Sequence, residues 1–192
     1  MRTEMKMKRF FGPKALISVS IILVFCNTAA FAAGNKKEAQ VLTQASQFLC
    51  AGDYDKAIKA CDDALTIDQN CPAAYYLRGF AHRYKEEYGL AIMDFTRALQ
   101  IDPKYAAAYY SRGLSYAYTG NYNDALADLD SAITIDPQYT DAYFNRARVY
   151  YDLDEYDKAW DDVHKAESLG ISDDMMYKGF VNKLKESSGR NR

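Results

Sequence analysis

The sequence predicts an all-α protein built as a stack of helix pairs. Three observations predict it: self-similarity at a period of 34 residues, helical apolar spacing in both halves of each unit, and a stop between units. Asp102-Pro103 and Asp136-Pro137 stand 34 apart, as do Tyr75-Tyr76 and Tyr109-Tyr110, and Arg78-Gly79 and Arg112-Gly113. Residues 72–105 and 106–139 share 15 identities in 34 positions. Ala142, Tyr143, Arg146, Tyr150, Tyr156, Ala159, Asp162 and Ala166 extend the lattice forward, and Tyr54, Ala57, Ala64 and Asp68 extend it back. A fixed period of this length marks a repeat architecture. The units are 38–71, 72–105, 106–139 and 140–173.

Within a unit the first helix is read from spacing. In 106–119, Tyr109, Gly113 and Tyr116 fall along one helical face. Gly120-Asn121 breaks the pattern, and Tyr122, Ala125, Leu129, Ala132 and Ile133 begin a second helical face. Asp136-Pro137 ends it, because proline lacks the N–H and disfavours helix in the residue before it. Small residues stand where paired helices must approach: Gly79, Gly113 and Ala147 on the first, and Ala57, Ala91, Ala125 and Ala159 on the second. Arg78, Arg112 and Arg146 each precede an aspartate by 16 residues, at Asp94, Asp128 and Asp162. The first unit has Gln44 and Ala60 in those slots, so both charges vanish together. The pairing is therefore expected within a unit, between its two helices.

The ends differ from the repeats. Residues 2–14 are basic, Ala15–Phe25 is an apolar run of 11, and Ala30-Phe31-Ala32 supplies small residues two apart. This order reads as a secretory signal over 1–32 with cleavage before Ala33. The apolar run is short against the roughly 20 residues of a membrane span; an uncleaved anchor is the alternative. Residues 33–37 form a short lead-in. After the fourth unit, Met176, Tyr177, Phe180, Val181 and Leu184 recur at helical spacing, so a helix at 174–187 is expected to cap the stack, with 188–192 as a disordered tail.

The aromatic at the fourth position of a unit, Gly or Ala at the eighth, tyrosine at the seventeenth (Tyr54, Tyr88, Tyr122, Tyr156), small residues at the twentieth and twenty-seventh, and Pro103 and Pro137 at the thirty-second strongly resemble the tetratricopeptide repeat. The match runs over 38–173. The first unit departs from it with Val41, Ala45 and Gln69, and the last ends Leu169-Gly170-Ile171; end units of a solenoid cap the stack and are atypical. The resemblance implies a right-handed superhelix of four repeats and a capping helix.

Composition and chemistry then limit function. Hydrophobic residues make up 49% and charged residues 26%, which fits a globular chain. Removing the five basic residues and one acid of 1–32 from the chain's 24 and 26 leaves 19 against 25, a net of −6. An acidic body offers no footprint for nucleic acid. A membrane is a partner only if the amino-terminal segment is retained. No phosphate loop, metal-ligand spacing or nucleophile–base set stands out, so the reading is a non-enzymatic protein without cofactor or metal site. His82 occupies the slot of Phe48, Tyr116 and Tyr150 and is expected in the core; His164 is expected on the surface. Cys61 shares its slot with Phe95, Leu129 and Val163 and should be buried and inert. Cys50 and Cys61 are offset by about 8 Å along paired axes, so no intrachain disulfide is expected, and any reactive thiol is Cys50 or Cys71.

What remains is surface. Seventeen tyrosines all lie at or beyond Tyr54. In the family that the repeats resemble, the concave face is lined by the second, fifth, ninth, twelfth and thirteenth positions of each first helix. Carried over, these give a groove of Tyr76, Phe80, Arg83, Tyr84, Tyr110, Leu114, Tyr118, Phe144, Arg148 and Tyr151, with Asp141 and Asp152 beside them. Tyrosine and arginine carry interface hot spots, and a row of them facing solvent implies a use. The family's best-known ligand mode clamps a terminal carboxylate; its slots here hold Leu42, Ser46, Leu77, Ala107 and Ser111, so that clamp is absent. The expected function is a protein-interaction scaffold of the cell envelope, periplasmic or secreted. It takes a peptide or protein segment in an aromatic groove, with Arg83 and Arg148 orienting a polar or acidic group. The alternative is a self-associating envelope spacer, tethered by its amino terminus.

Overall fold

The computed structural model describes residues 36–171 and 175–189. The secretory-signal reading of 1–32 and residues 190–192 of the tail lie outside them. The described residues form helices and turns, with no strand among them. The helices are α1 (Lys36–Ala51), α2 (Tyr54–Ile67), α3 (Pro72–Tyr84), α4 (Tyr88–Ile101), α5 (Ala106–Tyr118), α6 (Tyr122–Ile135), α7 (Thr140–Asp152), α8 (Tyr156–Ser168) and α9 (Met175–Ser188). Consecutive helices pack on one another along the chain, which is the expected stack of helix pairs. The first helices also meet across units, α1 with α3, α3 with α5 and α5 with α7. The stack therefore closes toward the first helices, and their outward side is its inner face.

The core repeats as the sequence does. The twentieth-position alanines, Ala57, Ala91, Ala125 and Ala159, are fully buried, as are Cys61, Phe95, Leu129 and Val163 four residues on. A Cβ built on Gly79 would stand 3.0 Å from Phe95 Cε1 and 3.1 Å from Asp94 Cβ; on Gly113 it would meet the Ala125 carbonyl at 3.2 Å. The lack of a side chain at these two glycines is what lets each helix pair approach so closely.

Both kinds of turn have a chemical cause. Each first helix leads into its second through one residue with positive φ: Gly52 (77°), Glu86 (61°), Gly120 (81°) and Asp154 (60°). A side chain there costs roughly 1–2 kcal/mol in L-residues. Glu86→Gly should therefore stabilise the protein by up to about 1 kcal/mol, after the added flexibility of the unfolded chain is subtracted, read as a higher midpoint in urea. Asp154→Gly should gain nothing, because Asp154 Oδ1 accepts the Tyr156 hydroxyl at 2.7 Å. Between units the aspartate makes the turn: Asp68, Asp102 and Asp136 each accept the backbone N–H two residues on, at 2.8, 3.0 and 3.0 Å. The first unit keeps this turn with Gln69 in place of proline. Fourth-position tyrosines hold the same loop, since Tyr75 and Tyr143 donate to the Gln69 and Pro137 carbonyls at 3.3 Å.

The arginines reach further than expected. Each forks onto the aspartate of its own unit: Arg78 onto Asp94 (2.9 and 2.7 Å), Arg112 onto Asp128 (2.7 and 2.7 Å), and Arg146 onto Asp162 (2.8 and 2.6 Å). The other guanidinium nitrogen crosses to the preceding unit, to Asp62 at 2.6 Å, Thr96 at 3.0 Å and Asp130 at 2.5 Å. Each guanidinium also lies over the fourth-position ring of its unit, 5.4 Å above Tyr75, 5.6 Å above Tyr109 and 5.5 Å above Tyr143. The expected pairing was thus half of a link that also joins neighbouring units.

Two details revise the sequence reading. Cys71, expected as a candidate reactive thiol, is buried, and burial, with a hydrogen bond to Glu38, pushes the thiol up to about 12. Its slot, the thirty-fourth, holds Tyr105 and Tyr139 in later units, and that slot faces inward. Cys50 is the exposed thiol among the three. Ser188, assigned to the tail, ends α9 and accepts the Trp160 indole N–H at 3.1 Å. The capping helix inserts Tyr177, Phe180 and Leu184 against Phe144, Ala147, Trp160 and Val163.

Candidate protein-interaction face

The first helices of the second, third and fourth units carry all ten residues assigned to the groove. Tyr76, Phe80, Arg83 and Tyr84 come from α3, Tyr110, Leu114 and Tyr118 from α5, and Phe144, Arg148 and Tyr151 from α7. Their spacing of three or four residues puts each set on one side of its helix. The structure brings each set together, but not as a row standing in solvent. Phe80, Leu114, Phe144 and Arg148 are buried, and the other six are half-buried.

The reason is ring-on-ring packing. Tyr76 lies 5.0 Å from Tyr105 and 6.0 Å from Phe80, and Phe80 lies 5.0 Å from Tyr84. Tyr84 stacks on Tyr54 at 5.4 Å, and Tyr118 on Tyr88 at 5.0 Å with planes 9° apart. Tyr110 packs against Tyr139 at 4.9 Å. At the last repeat the capping helix takes part of the face. Phe180 meets Phe144 edge-on at 5.4 Å and Tyr151 at 5.6 Å, and the Tyr151 hydroxyl is 3.0 Å from Ser187 Oγ. Tyr54, Tyr88, Tyr105 and Tyr139 were not among the residues assigned to the face. Their recurrence at the seventeenth and thirty-fourth positions was the available signal.

A polar chain runs through these rings. Asn145 Nδ2 donates to the Tyr110 hydroxyl at 2.9 Å, and Arg148 Nη1 donates to Asn145 Oδ1 at 3.3 Å. Burial strips water from the Arg148 guanidinium and pulls its pKa down to about 10, against Tyr118, Tyr110 and Asp152, which pull it up. The Arg83 guanidinium is pressed onto two rings, 4.9 Å from Phe80 and 4.8 Å from Tyr84. Burial raises the phenols of Tyr110, Tyr118 and Tyr139 above the ordinary tyrosine range. A folded-state pKa above the unfolded value means stability that is complete below about pH 10 and lost as pH rises through the folded values. In a spectrophotometric titration these three phenols should ionise only together with unfolding, above about pH 10.

The two histidines offer no further site. His82, expected in the core, is half-buried, as are Phe48, Tyr116 and Tyr150 in the same slot, and its Nδ1 is 2.6 Å from Glu87 Oε2. His164 is exposed and leans on Trp160 at 5.5 Å. Leu42, Ser46, Leu77, Ala107 and Ser111, in the slots of the family's terminal-carboxylate clamp, are buried and carry no charge.

Comparison with known proteins agrees with this architecture. Residues 72–105 match the profile of the Tetratricopeptide repeat, and residues 115–154 match that of the TPR repeat. Sixty residues are 42% identical to Tetratricopeptide repeat protein 12 of Mus musculus; they are 30% of this chain and span 8% of that protein. Among solved structures, MamA is 26% identical with a TM-score of 0.65, over 75% of this chain and 84% of that one. The thermophilic TPR protein TTC0263 of Thermus thermophilus is 24% identical with a TM-score of 0.68, over 80% and 84%. The first TPR of Spaghetti (RPAP3), solved bound to an HSP90 peptide, is 19% identical with a TM-score of 0.60, over 62% and 94%. Residues 72–105 and 115–154 thus match the tetratricopeptide repeat, and the helical stack that holds them has the fold of the solved structures above.

Proposed function

We propose that the protein is a non-enzymatic scaffold that holds a segment of another protein against the face formed by its first helices. One observation carries this reading: aromatic side chains from α3, α5 and α7 line the same side of the stack, with six of the ten groove residues half-buried. Half-buried tyrosines are already ordered by their neighbours, so a partner that covers them gains apolar area at little further cost in side-chain entropy. A stack of the same fold carries an HSP90 peptide in the RPAP3 structure, which supports the mode, although the charged clamp slots are absent here.

The proposal includes the envelope as its setting. The basic start, the 11-residue apolar run and Ala30-Phe31-Ala32 support export, and a mature chain from the native host beginning at Ala33 is the expected mass-spectrometric result. A full-length membrane-bound chain would favour a tethered spacer instead. The interaction itself is tested by affinity capture from envelope extract with the wild type and with Tyr76→Ala/Tyr110→Ala, circular dichroism confirming that the variant folds. One specific protein should be captured by the wild type and lost by the folded variant. Equal capture by both would reject this face as the binding surface.

A further inference from the structure

Arg78, Arg112 and Arg146 are each forked onto an aspartate, and Arg97 is exposed beside Gln100. Arg148 is held by Asn145. Arg83 makes no ion pair among the described residues; it shares a side-chain hydrogen bond with Tyr84, and its Nε is buried with no hydrogen-bond acceptor. A guanidinium is a planar fork of five donors built to meet a carboxylate. Burying one of those donors without an acceptor is unfavourable, and native structures seldom leave it so. The cation is also not free to swing into water, because its plane rests on Phe80 and Tyr84.

The surroundings are built for an anion. Tyr110 and Tyr118 lie in the fields of both Arg83 and Arg148, so guanidiniums from the second and fourth repeats face the same pair of phenols. The acids of this face are Asp141, exposed at the start of α7, and Asp152, at its end; Asp152 acts on Arg148, and Asp141 on Tyr110. Neither pairs with Arg83. The charge left to be complemented is therefore positive and sits on α3, at one edge of the aromatic face. This is not the family's terminal-carboxylate clamp, whose slots hold the buried, uncharged Leu42, Ser46, Leu77, Ala107 and Ser111.

We propose that Arg83, with Arg148 across the face, forms an anion subsite that takes the side-chain carboxylate of an Asp or Glu in the bound protein segment, its flanking apolar residues lying on Tyr76, Tyr84 and Tyr118. The proposal rests on the first-helix face being the binding surface and adds what that face selects. The carboxylate accepts from the Arg83 fork, and the aromatic walls exclude water, which strengthens the charge-assisted bond.

The probe is a phage-displayed library of random 12-residue peptides, selected on the purified full chain. Selected peptides should share an Asp or Glu at a fixed distance from an apolar residue. Arg83→Gln should weaken their binding at least tenfold, and changing the shared acid to its amide should do the same. The two changes together should cost little more than either alone, which identifies the pair. Arg83→Lys should recover part of the affinity, and the urea midpoint of Arg83→Gln should stay at or above that of the wild type, since it removes an unsatisfied buried donor. Peptides that bind without a shared acid, or equally well to Arg83→Gln, would overturn the subsite and leave the scaffold reading standing. Selection of phosphorylated peptides over their acidic counterparts, tested with synthetic pairs, would overturn the carboxylate assignment. Peptides that compete with none of the first-helix positions, or a failure to select any, would overturn both.

Discussion

Phe95→Ala should destabilise the protein by about 3–5 kcal/mol, the usual cost of emptying a closed aromatic site. Phe95 is fully buried in the slot that Cys61, Leu129 and Val163 fill in the other units. It stands 5.8 Å from Tyr76 and closes over Gly79, whose missing Cβ would lie 3.0 Å from its ring. Nothing nearby can collapse into the space, because Ala91 and Ala98 on the same helix are themselves fully buried. In a stack each unit is stabilised chiefly by its neighbours. A weakened second unit therefore also loosens the contacts of α2 with α3 and α4 with α5. At 2–4 °C per kcal/mol for a chain of this size, a thermal midpoint lower by on the order of 10 °C is expected. A change of less than about 1 kcal/mol would mean that the second unit is not packed as described.

Arg112→Ala should cost a similar amount for a different reason. Asp128 is 5% exposed and both its oxygens are held by the Arg112 fork at 2.7 Å. Removing the guanidinium leaves a buried carboxylate with its ion-pair partner gone, which typically costs about 3–5 kcal/mol. It also removes the link to Thr96 and the cation above Tyr109, so the third unit loosens from the second. Arg112→Ala with Asp128→Ala should recover much of the loss, since the uncompensated charge is then gone. The opposite end of the arginine link is cheaper. Asp62→Ala should cost under about 1 kcal/mol, because its side chain is half-exposed where it meets Arg78. Chemical denaturation of the four variants, fitted with a common slope, measures all of these.

The repeat period was legible in the sequence because a stack imposes the same contacts every 34 residues. Gly79, Gly113 and Ala147 could be assigned to the helix contact, and Arg78, Arg112 and Arg146 to aspartates of their own units, from identity at equal positions alone. The cross-unit half of the arginine link was harder to read. Its acceptors change from Asp62 to Thr96 to Asp130, and a pattern search follows residue type while a guanidinium follows any oxygen in reach. The burial of Cys71 was within reach of the sequence, since Tyr105 and Tyr139 share its slot. The packing of the groove was not. Helical period says which residues share a face, and it put Tyr76, Tyr110 and Phe144 on one. It does not say that rings from the seventeenth and thirty-fourth positions, or from α9, fold over them. That depends on side-chain volume between units, which no spacing rule contains.

Site-specific photo-crosslinking in the native host tests the central claim, that the first-helix face is where another protein binds. A benzophenone amino acid is placed at Tyr84 or Tyr118 on that face, and at Lys59, Met93 or Ala127, which are exposed on the second helices. The account predicts one discrete adduct to another protein from the first-helix positions and none from the second-helix positions. Adducts formed only from the second helices, or only between copies of this chain, would contradict it.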